Sequence, residues 1–359
     1  MNWSPRPVRV QAPATSANLG PGFDALGLAL ALYDQVEAGV TGGGLAIEVT
    51  GQGAGSATAG EAHLVVRAMR AGFAALGGQP PGIALHCANA IPHGRGLGSS
   101  AAAICSGLLA ARALVIGGET ALPDDALFGL AAELEGHPDN VAACLAGGLT
   151  IAWTPRPGAL GAPASAPAGA AGPADAGPGP RMLRLPVPAG LRTVLCVPPF
   201  PLATEAARRA LPAVIPHADA AANAARSALL VAAFSGAAEV LFAATEDFLH
   251  QPYRTAVMPQ TADLVSRLRH AGLAAVVSGS GPAVLVLSFD SQGPPAAAVD
   301  SIGHETGIDW QVIPLDIDRQ GGHVRQGGPG VQLPESAREE PSWNQGQGPG
   351  AKSRGRVPA

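Results

Sequence analysis

Residues 91–103, IPHGRGLGSSAAA, constrain the fold more than any other stretch. Gly94, Gly96 and Gly98 fall within five residues. Glycine at that density gives up stability unless the chain must turn tightly or approach a ligand closely. Ahead of them, residues 82–91 make a short apolar run that predicts a strand. Behind them, Ile104, Leu108, Leu109, Arg112 and Ala113 recur at helical spacing and predict a helix over 101–114. A strand, a glycine-rich loop and a helix start aim free backbone N–H groups and the positive end of the helix dipole at one point. A phosphate suits that point. The residues leave one alternative open: a plain strand-to-helix turn in which Ser99 and Ser100 only cap the helix.

An absence narrows the chemistry. The only lysine is Lys352, whereas a Walker-A loop and a protein-kinase strand each need one. Nucleotide phosphates would have to be held by backbone amides, a metal and arginine. The formal net charge of −5, with no basic block, argues against nucleic acid and against an anionic membrane surface. No run reaches the roughly 18 apolar residues of a membrane span, and the N-terminus MNWSPRPVRVQAP lacks an apolar signal region. A soluble, cytoplasmic protein is expected. Cys87, Cys105, Cys144 and Cys196 form no CxxC pair and read as small core residues in a reducing compartment.

Strands are expected at 8–12, from 28, at 45–49 and at 192–198. Helices are expected at 62–75, 126–134, 204–211, 220–244 and 260–271, and a strand–glycine turn–strand unit at 274–287. Mixed elements that do not strictly alternate predict an α+β fold. The 26 residues 155–180 hold 7 Pro, 6 Gly and 9 Ala, too little apolar bulk to offset their ordering entropy, so a flexible insertion is expected there. From about Arg319 the composition turns to Gly, Gln, Pro, Ser and charge, and predicts a disordered tail. The expected division is a first lobe at 8–153, the insertion at 154–181, a second lobe at 182–318 and the tail at 319–359.

Five further stretches carry polar chemistry. PATSANLGPGFD (13–24) is either a polar turn, with Asn18 and Asp24 bonding backbone, or part of a site. EGHPDN (135–140) crowds two carboxylates, an imidazole and an amide together. Near transferred phosphates such a carboxylate holds Mg²⁺; the bland reading makes Asp139 or Asn140 a cap for a helix from 141. In TEAARRALP (204–212) Thr204 can cap, and at most one of Arg208 and Arg209 faces a ligand. HQPYR (250–254) is most simply a surface turn. SGSGP (278–282) is a second glycine turn where backbone can approach a ligand.

The 92–102 loop resembles the phosphate-binding motif of the GHMP small-molecule kinases, and the five other stretches, in their order, resemble the homoserine kinase family within that group. The resemblance covers residues 8–315 apart from the insertion. It implies a ribosomal-S5-type first lobe and a ferredoxin-like second lobe with ATP between them. It also implies roles. Pro92, His93, Gly94, Arg95, Gly96, Leu97, Gly98, Ser99, Ser100, Ala101 and Ala102 would bind the triphosphate. Ser100, Glu135 and Thr204 would surround Mg²⁺. Asn18, Asp24, His137, Arg208, Arg254 and Gly281 would line an amino-acid pocket, and Asn140, Glu135 and Arg208 would act in catalysis. The charges agree with this: a zwitterion needs an anion facing its ammonium and arginines forking its carboxylate.

The activity implied is ATP-dependent phosphorylation of the L-homoserine side-chain hydroxyl in threonine synthesis. Two alternatives stand beside it: a GHMP kinase for mevalonate or a sugar, and an inactive ATP- or amino-acid-binding regulator. The implied partner is a small molecule, without nucleic acid or membrane, and a homodimer is one option. Two positions depart from the family pattern. Ala143 stands where Pro is usual, and Ala283 where Thr is usual, which puts a side-chain contact there in doubt.

Overall fold

The computed structural model describes residues 1–55, 60–155, 179–290, 295–326 and 333–334. Residues 156–178 of the expected insertion, the chain from 335 onward and Lys352 lie outside the described residues.

From the N-terminus run β1 (Val8–Ala17), β2 (Leu26–Thr41), β3 (Gly44–Gly51), α1 (Leu64–Ala75), β4 (Gly82–Asn89), α2 (Ser99–Ala113), α3 (Gly118–Ala121), α4 (Asp124–Glu135), α5 (Pro138–Ala146), β5 (Leu149–Trp153) and β6 (Arg181–Leu185). There follow β7 (Leu191–Val197), α6 (Thr204–Arg209), α7 (His217–Phe234), α8 (Leu241–Ala244), α9 (Gln251–Arg254), α10 (Pro259–His270), β8 (Ala274–Val277), β9 (Val284–Phe289), α11 (Ala296–Glu305), β10 (Gln311–Leu315) and β11 (His323–Gln326). The expected α+β class holds.

The first sheet has the order β11-β1-β2-β4-β3, with β5 paired to β2 and β6 to β5. Its one parallel pair among the described residues, β3 with β4, is joined through α1, as a parallel pair requires. Pro13 cannot donate to the ladder, and there the register of β1 on β2 slips. Opposite the slip, Ala31 N–H turns instead to Asp316 O at 2.8 Å. The bulge thus lets the end of β10 dock on the first sheet.

Helix α2 is buried almost all round, on Ala101, Ala102, Ile104, Cys105, Leu108, Leu109, Ala110 and Ala111, which is how a helix without a polar face must sit. It packs closely on α1. A Cβ at Gly107 would lie 2.6 Å from Val65 O and 2.7 Å from Ala68 Cβ, and one at Gly72 would lie 2.9 Å from Ala111 Cβ. Phe73 and Met69 of α1 are fully buried here, each contributing roughly 1.5–3 kcal/mol. This packing fixes the direction of α2, and so the place where its N-terminus points.

The second sheet, β10-β7-β9-β8, is antiparallel throughout. With helices between β7 and β8 and between β9 and β10, it has the ferredoxin-like order. A helix over 220–244 does not form in one piece. It breaks after Phe234 at Ser235 and Gly236, whose φ of 127° no helix accommodates, and resumes at α8. Strand pairing also departs from the expected boundaries: β6 and β11 both join the first sheet. A disordered tail from 319 is therefore wrong for residues 323–326, because β1 offers a free edge on which β11 pairs antiparallel, Val8 opposite Gln326. All four cysteines are buried and free. No described helix is long and apolar enough to cross a membrane.

Candidate active site

A cavity of about 60 Å³ lies where the loops of the two lobes meet. Its first wall is backbone. Gly94, Gly96 and Gly98 hold φ of 64°, 74° and 67°, a region closed to most side chains. Leu97 O accepts Thr15 N–H at 3.0 Å, and Gly96 O accepts the Ser278 hydroxyl at 2.7 Å. Gly98 is the N-cap of α2 and no side chain caps the helix. Ser99 and Ser100 sit inside the first turn, so the capping alternative fails. The first-turn N–H groups have no partner within the helix, and Ser99 and Ser100 line the cavity.

The second wall is EGHPDN. Gly136, at φ 86°, ends α4 just after Glu135, and Pro138 starts α5. Pro suits a first helical position, where no N–H is needed. Asp139 and Asn140 thus lie in the first turn of α5 rather than ahead of it, and the cap reading fails for both. Asp139 Oδ1 instead accepts Asn140 N–H at 2.8 Å and pairs with His137 Nδ1 at 2.7 Å. Asn140 Oδ1 accepts the Thr15 hydroxyl at 2.8 Å. Ser100 donates to Glu135 Oε1 at 2.6 Å. Burial raises the Glu135 pKa, against the hydrogen bond from Ser100 and the nearby His137 and Arg208. The His137 pKa is also raised: burial lowers it, but Asp139 and Glu135 outweigh burial.

The third wall comes from segments far apart in sequence. Asn18, Leu19 and Asp24 all have positive φ, and the loop is held by its own side chains: Asn18 Oδ1 accepts Asp24 N–H at 2.9 Å while Asn18 Nδ2 donates to Gly279 O at 2.8 Å. Arg208 forks Asp24 with bonds of 2.8 and 3.1 Å. Arg254 is 1% exposed. Its Nε donates to Ala207 O at 3.2 Å, and its Nη1 to Gly279 O at 3.2 Å and to His250 Nδ1 at 3.0 Å. Among the described residues no carboxylate pairs with it. Burial and the nearby Arg208 pull its pKa down from the usual arginine value. HQPYR is therefore not a surface turn.

Two family models match the chain: GHMP kinases N terminal domain over residues 63–148 and GHMP kinases C terminal over residues 225–308. The chain is 50% identical over 317 residues to homoserine kinase of Streptomyces coelicolor, covering 88% of this chain and 94% of that protein. The chain belongs to the homoserine kinase family. To homoserine kinase of Clavibacter michiganensis it is 46% identical, covering 89% of this chain and 94% of the relative. Among solved structures, homoserine kinase from Cytophaga hutchinsonii superposes with a TM-score of 0.74 at 27% identity, covering 89% of this chain and 98% of the other.

Within this homoserine kinase fold, most of the expected residues converge on the cavity: Asn18, Asp24, Gly94, Gly96, Leu97, Gly98, Ser99, Ser100, Glu135, His137, Asn140, Thr204, Arg208 and Arg254 all line it. Others do not. The Arg95 guanidinium bonds Pro198 O, Pro199 O and His93 O, so it clamps the loop to the end of β7 rather than reaching inward. Ala101 and Ala102 are core residues, and Pro92 is not in the lining. Gly281 lies behind the wall: its backbone packs on Gly96, and Gly279 and Ser280 line the cavity in its place. Thr204 does not cap α6, whose N-cap is Ala203; its hydroxyl lies 3.2 Å from Ser280 Oγ. Ala143 packs closely on Gly27, where an added Cβ would lie 3.0 Å from Ala143 Cβ, and Ala283 is fully buried.

Sequence reasoning misses a second cavity of about 430 Å³ on the other side of the loop. Asp34, His63, Asn89 and His93 line it, and it shares Ser99 and Ser100 with the first. His93 lies there and not in the smaller cavity. His63 Nδ1 is buried there without a partner. The loop motif marks only His93 of these four; Asp34 of β2, His63 before α1 and Asn89 of β4 belong to no motif.

Proposed function

We infer that this chain transfers the γ-phosphoryl group of ATP to the side-chain hydroxyl of L-homoserine, yielding O-phospho-L-homoserine and ADP for threonine biosynthesis. One observation carries the reading beyond family membership. A buried arginine without a carboxylate partner, Arg254, shares a cavity with the Asp24–Arg208 pair and with a helix N-terminus. A buried cation is costly unless an anion meets it, and a substrate carboxylate bound by Arg254 and Arg208 removes that cost. The substrate ammonium then joins Asp24. A sugar or mevalonate has no ammonium for Asp24 to hold.

The nucleoside fits the 430 Å³ cavity, of ordinary ligand-pocket size, and its phosphates then cross Ser99 and Ser100 to meet the loop. Ser100, Glu135 and Thr204 present only oxygen donors around one buried carboxylate. That set suits Mg²⁺, which takes one or two carboxylates beside phosphate oxygens. When bound, the ion neutralises charge on the transferring phosphoryl group. The chain's own part is positioning: main-chain amides hold the phosphates, Asn140 holds the reacting hydroxyl, and Asp24 with the two arginines fixes the rest of the amino acid. His137 braces Asp139 beneath Asn140. Four buried, unpaired cysteines suit a reducing cytoplasm.

A coupled ADP-release assay across homoserine, threonine, mevalonate, galactose and shikimate tests the reading. Homoserine is expected to give the highest kcat/KM. Faster turnover of mevalonate or galactose, or no homoserine-dependent ADP at all, overturns it.

A further inference from the structure

His250 is 0% exposed and outside the cavity lining, yet it touches both halves of the amino-acid wall. It precedes α9 and lies one helical turn before Arg254. Its Nδ1 is 3.0 Å from Arg254 Nη1. A guanidinium nitrogen only donates, so Nδ1 must carry the lone pair and the ring proton must sit on Nε2. That nitrogen is 2.8 Å from Gly20 O, an acceptor only. The two partners together therefore assign one tautomer of a neutral imidazole.

We propose that His250 is the positioning residue of the amino-acid pocket: its Nδ1 aims the Arg254 guanidinium, while its Nε2–H, held by Gly20 O, fixes the tautomer that leaves Nδ1 free to accept. This rests on the reading of Arg254 as a carboxylate anchor. Three further observations support it. The bond to His250 is the shortest that Arg254 makes; those to Ala207 O and Gly279 O are both 3.2 Å. The Phe23 ring stacks on the imidazole at 5.3 Å, and its face meets the Arg254 and Arg208 guanidinium carbons at 5.6 and 5.8 Å. His250, both arginines and the Asp24 loop thus share one ring. Finally, Gly20 packs tightly against the second lobe: a Cβ there would lie 2.8 Å from Thr245 O.

The other charged groups around the ring leave the assignment standing. Asp247 Oδ2 is 3.4 Å from Nε2 but already accepts the N–H groups of His250 and Gln251 at 3.2 and 2.7 Å. Asp24 is engaged by Arg208. Burial lowers the His250 pKa and Arg254 lowers it further, against Asp247 and Asp24.

Two side chains separate the two bonds. In His250→Asn the amide oxygen falls at the Nδ1 position and can still receive Arg254. In His250→Gln the amide nitrogen falls at the Nε2 position, so the bond to Gly20 survives and Arg254 loses its acceptor. The expected result is a homoserine KM within about 3-fold of wild type for His250→Asn and raised about 10-fold or more for His250→Gln, with ATP KM unchanged in both. A residue that merely fills the core would lower the melting temperature in both and move the two KM values together. Equal homoserine KM in the two variants, or the reverse order, overturns the proposal. Arg254→Leu separates this from the reading beneath it. If Arg254→Leu leaves homoserine KM unchanged, the anchor itself is wrong. If Arg254→Leu raises it about 10-fold and His250→Gln does not, only the role of His250 is wrong. Should the His250 variants not fold, ¹⁵N imidazole shifts of the wild type at about pH 7 are expected to show a neutral ring protonated on Nε2. A charged ring or a proton on Nδ1 overturns the proposal.

Discussion

The two ends of the cavity are built by opposite means. On the proposed assignment the phosphate end is one contiguous stretch, 94–100, that offers backbone with few side chains. The amino-acid end is assembled from side chains on four segments: Asp24 meets Arg208 across 184 residues of sequence and Asn18 meets Gly279 across 261. The difference follows from the ligand groups. A polyphosphate presents many equivalent oxygens, and a row of amides with a helix dipole suits them at no side-chain entropy cost. A zwitterion presents two opposite charges at fixed separation, which only oppositely charged side chains on separate supports can match.

Four substitutions test that division, beginning with the largest effect. At the backbone end, a side chain should be ruinous for structural reasons. A Cβ on Gly98 would run into the Thr15 hydroxyl, and φ there is already 67°. Gly98→Val is expected to abolish turnover and also to unfold at lower temperature, since strain of this kind costs about 1–3 kcal/mol before any clash. Loss of activity with an unchanged melting temperature would mean that the space belongs to phosphate alone, as the loop motif by itself suggests.

Glu135 sits between the two modes, a side chain serving the phosphate end. Glu135→Gln keeps the bond from Ser100 and removes the charge, so kcat should fall about 10²-fold while homoserine KM stays within error. An unchanged Mg²⁺ dependence in a metal titration would return Glu135 to a purely structural part.

At the amino-acid end the effect should be graded and selective. Asp24→Asn leaves ATP binding intact and costs about 10–150-fold in homoserine kcat/KM, the worth of one charge-assisted hydrogen bond. It should also narrow the preference for homoserine over 4-hydroxybutyrate, which lacks the ammonium. If discrimination against 4-hydroxybutyrate is unaltered, Asp24 serves only to hold Arg208. The smallest effect belongs to Arg209, exposed one position further around α6: Arg209→Leu should keep kcat/KM within about 2-fold, and a costly Arg209 would undo the assignment of Arg208.

Much of the phosphate end is legible in the amino-acid sequence. The glycine spacing at 94, 96 and 98, the strand ahead and the helix behind determine a tight turn ending in a helix N-terminus, because glycine's conformational freedom and the helix dipole are local properties. The α+β class and most element positions are likewise set by local periodicity. What the sequence does not reveal depends on burial and on long-range pairing. HQPYR reads as surface because its residues are polar, and only the packing of α9 against the 18–24 loop makes His250 and Arg254 interior. Arg95 reads as a phosphate ligand from its place in the loop, yet the carbonyls at the end of β7 reach it first. Asp139 and Asn140 read as caps until Pro138 starts the helix ahead of them. Residues 323–326 read as tail because composition carries no information about a free edge on β1. Of the larger cavity the loop motif marks only His93, Ser99 and Ser100; Asp34, His63 and Asn89 carry no sequence signature, since β2, the start of α1 and β4 bring them together only in the fold. Chain-local conformation is thus written in the sequence of this protein, while the identity of each side chain's partner is decided only when the two lobes close on each other.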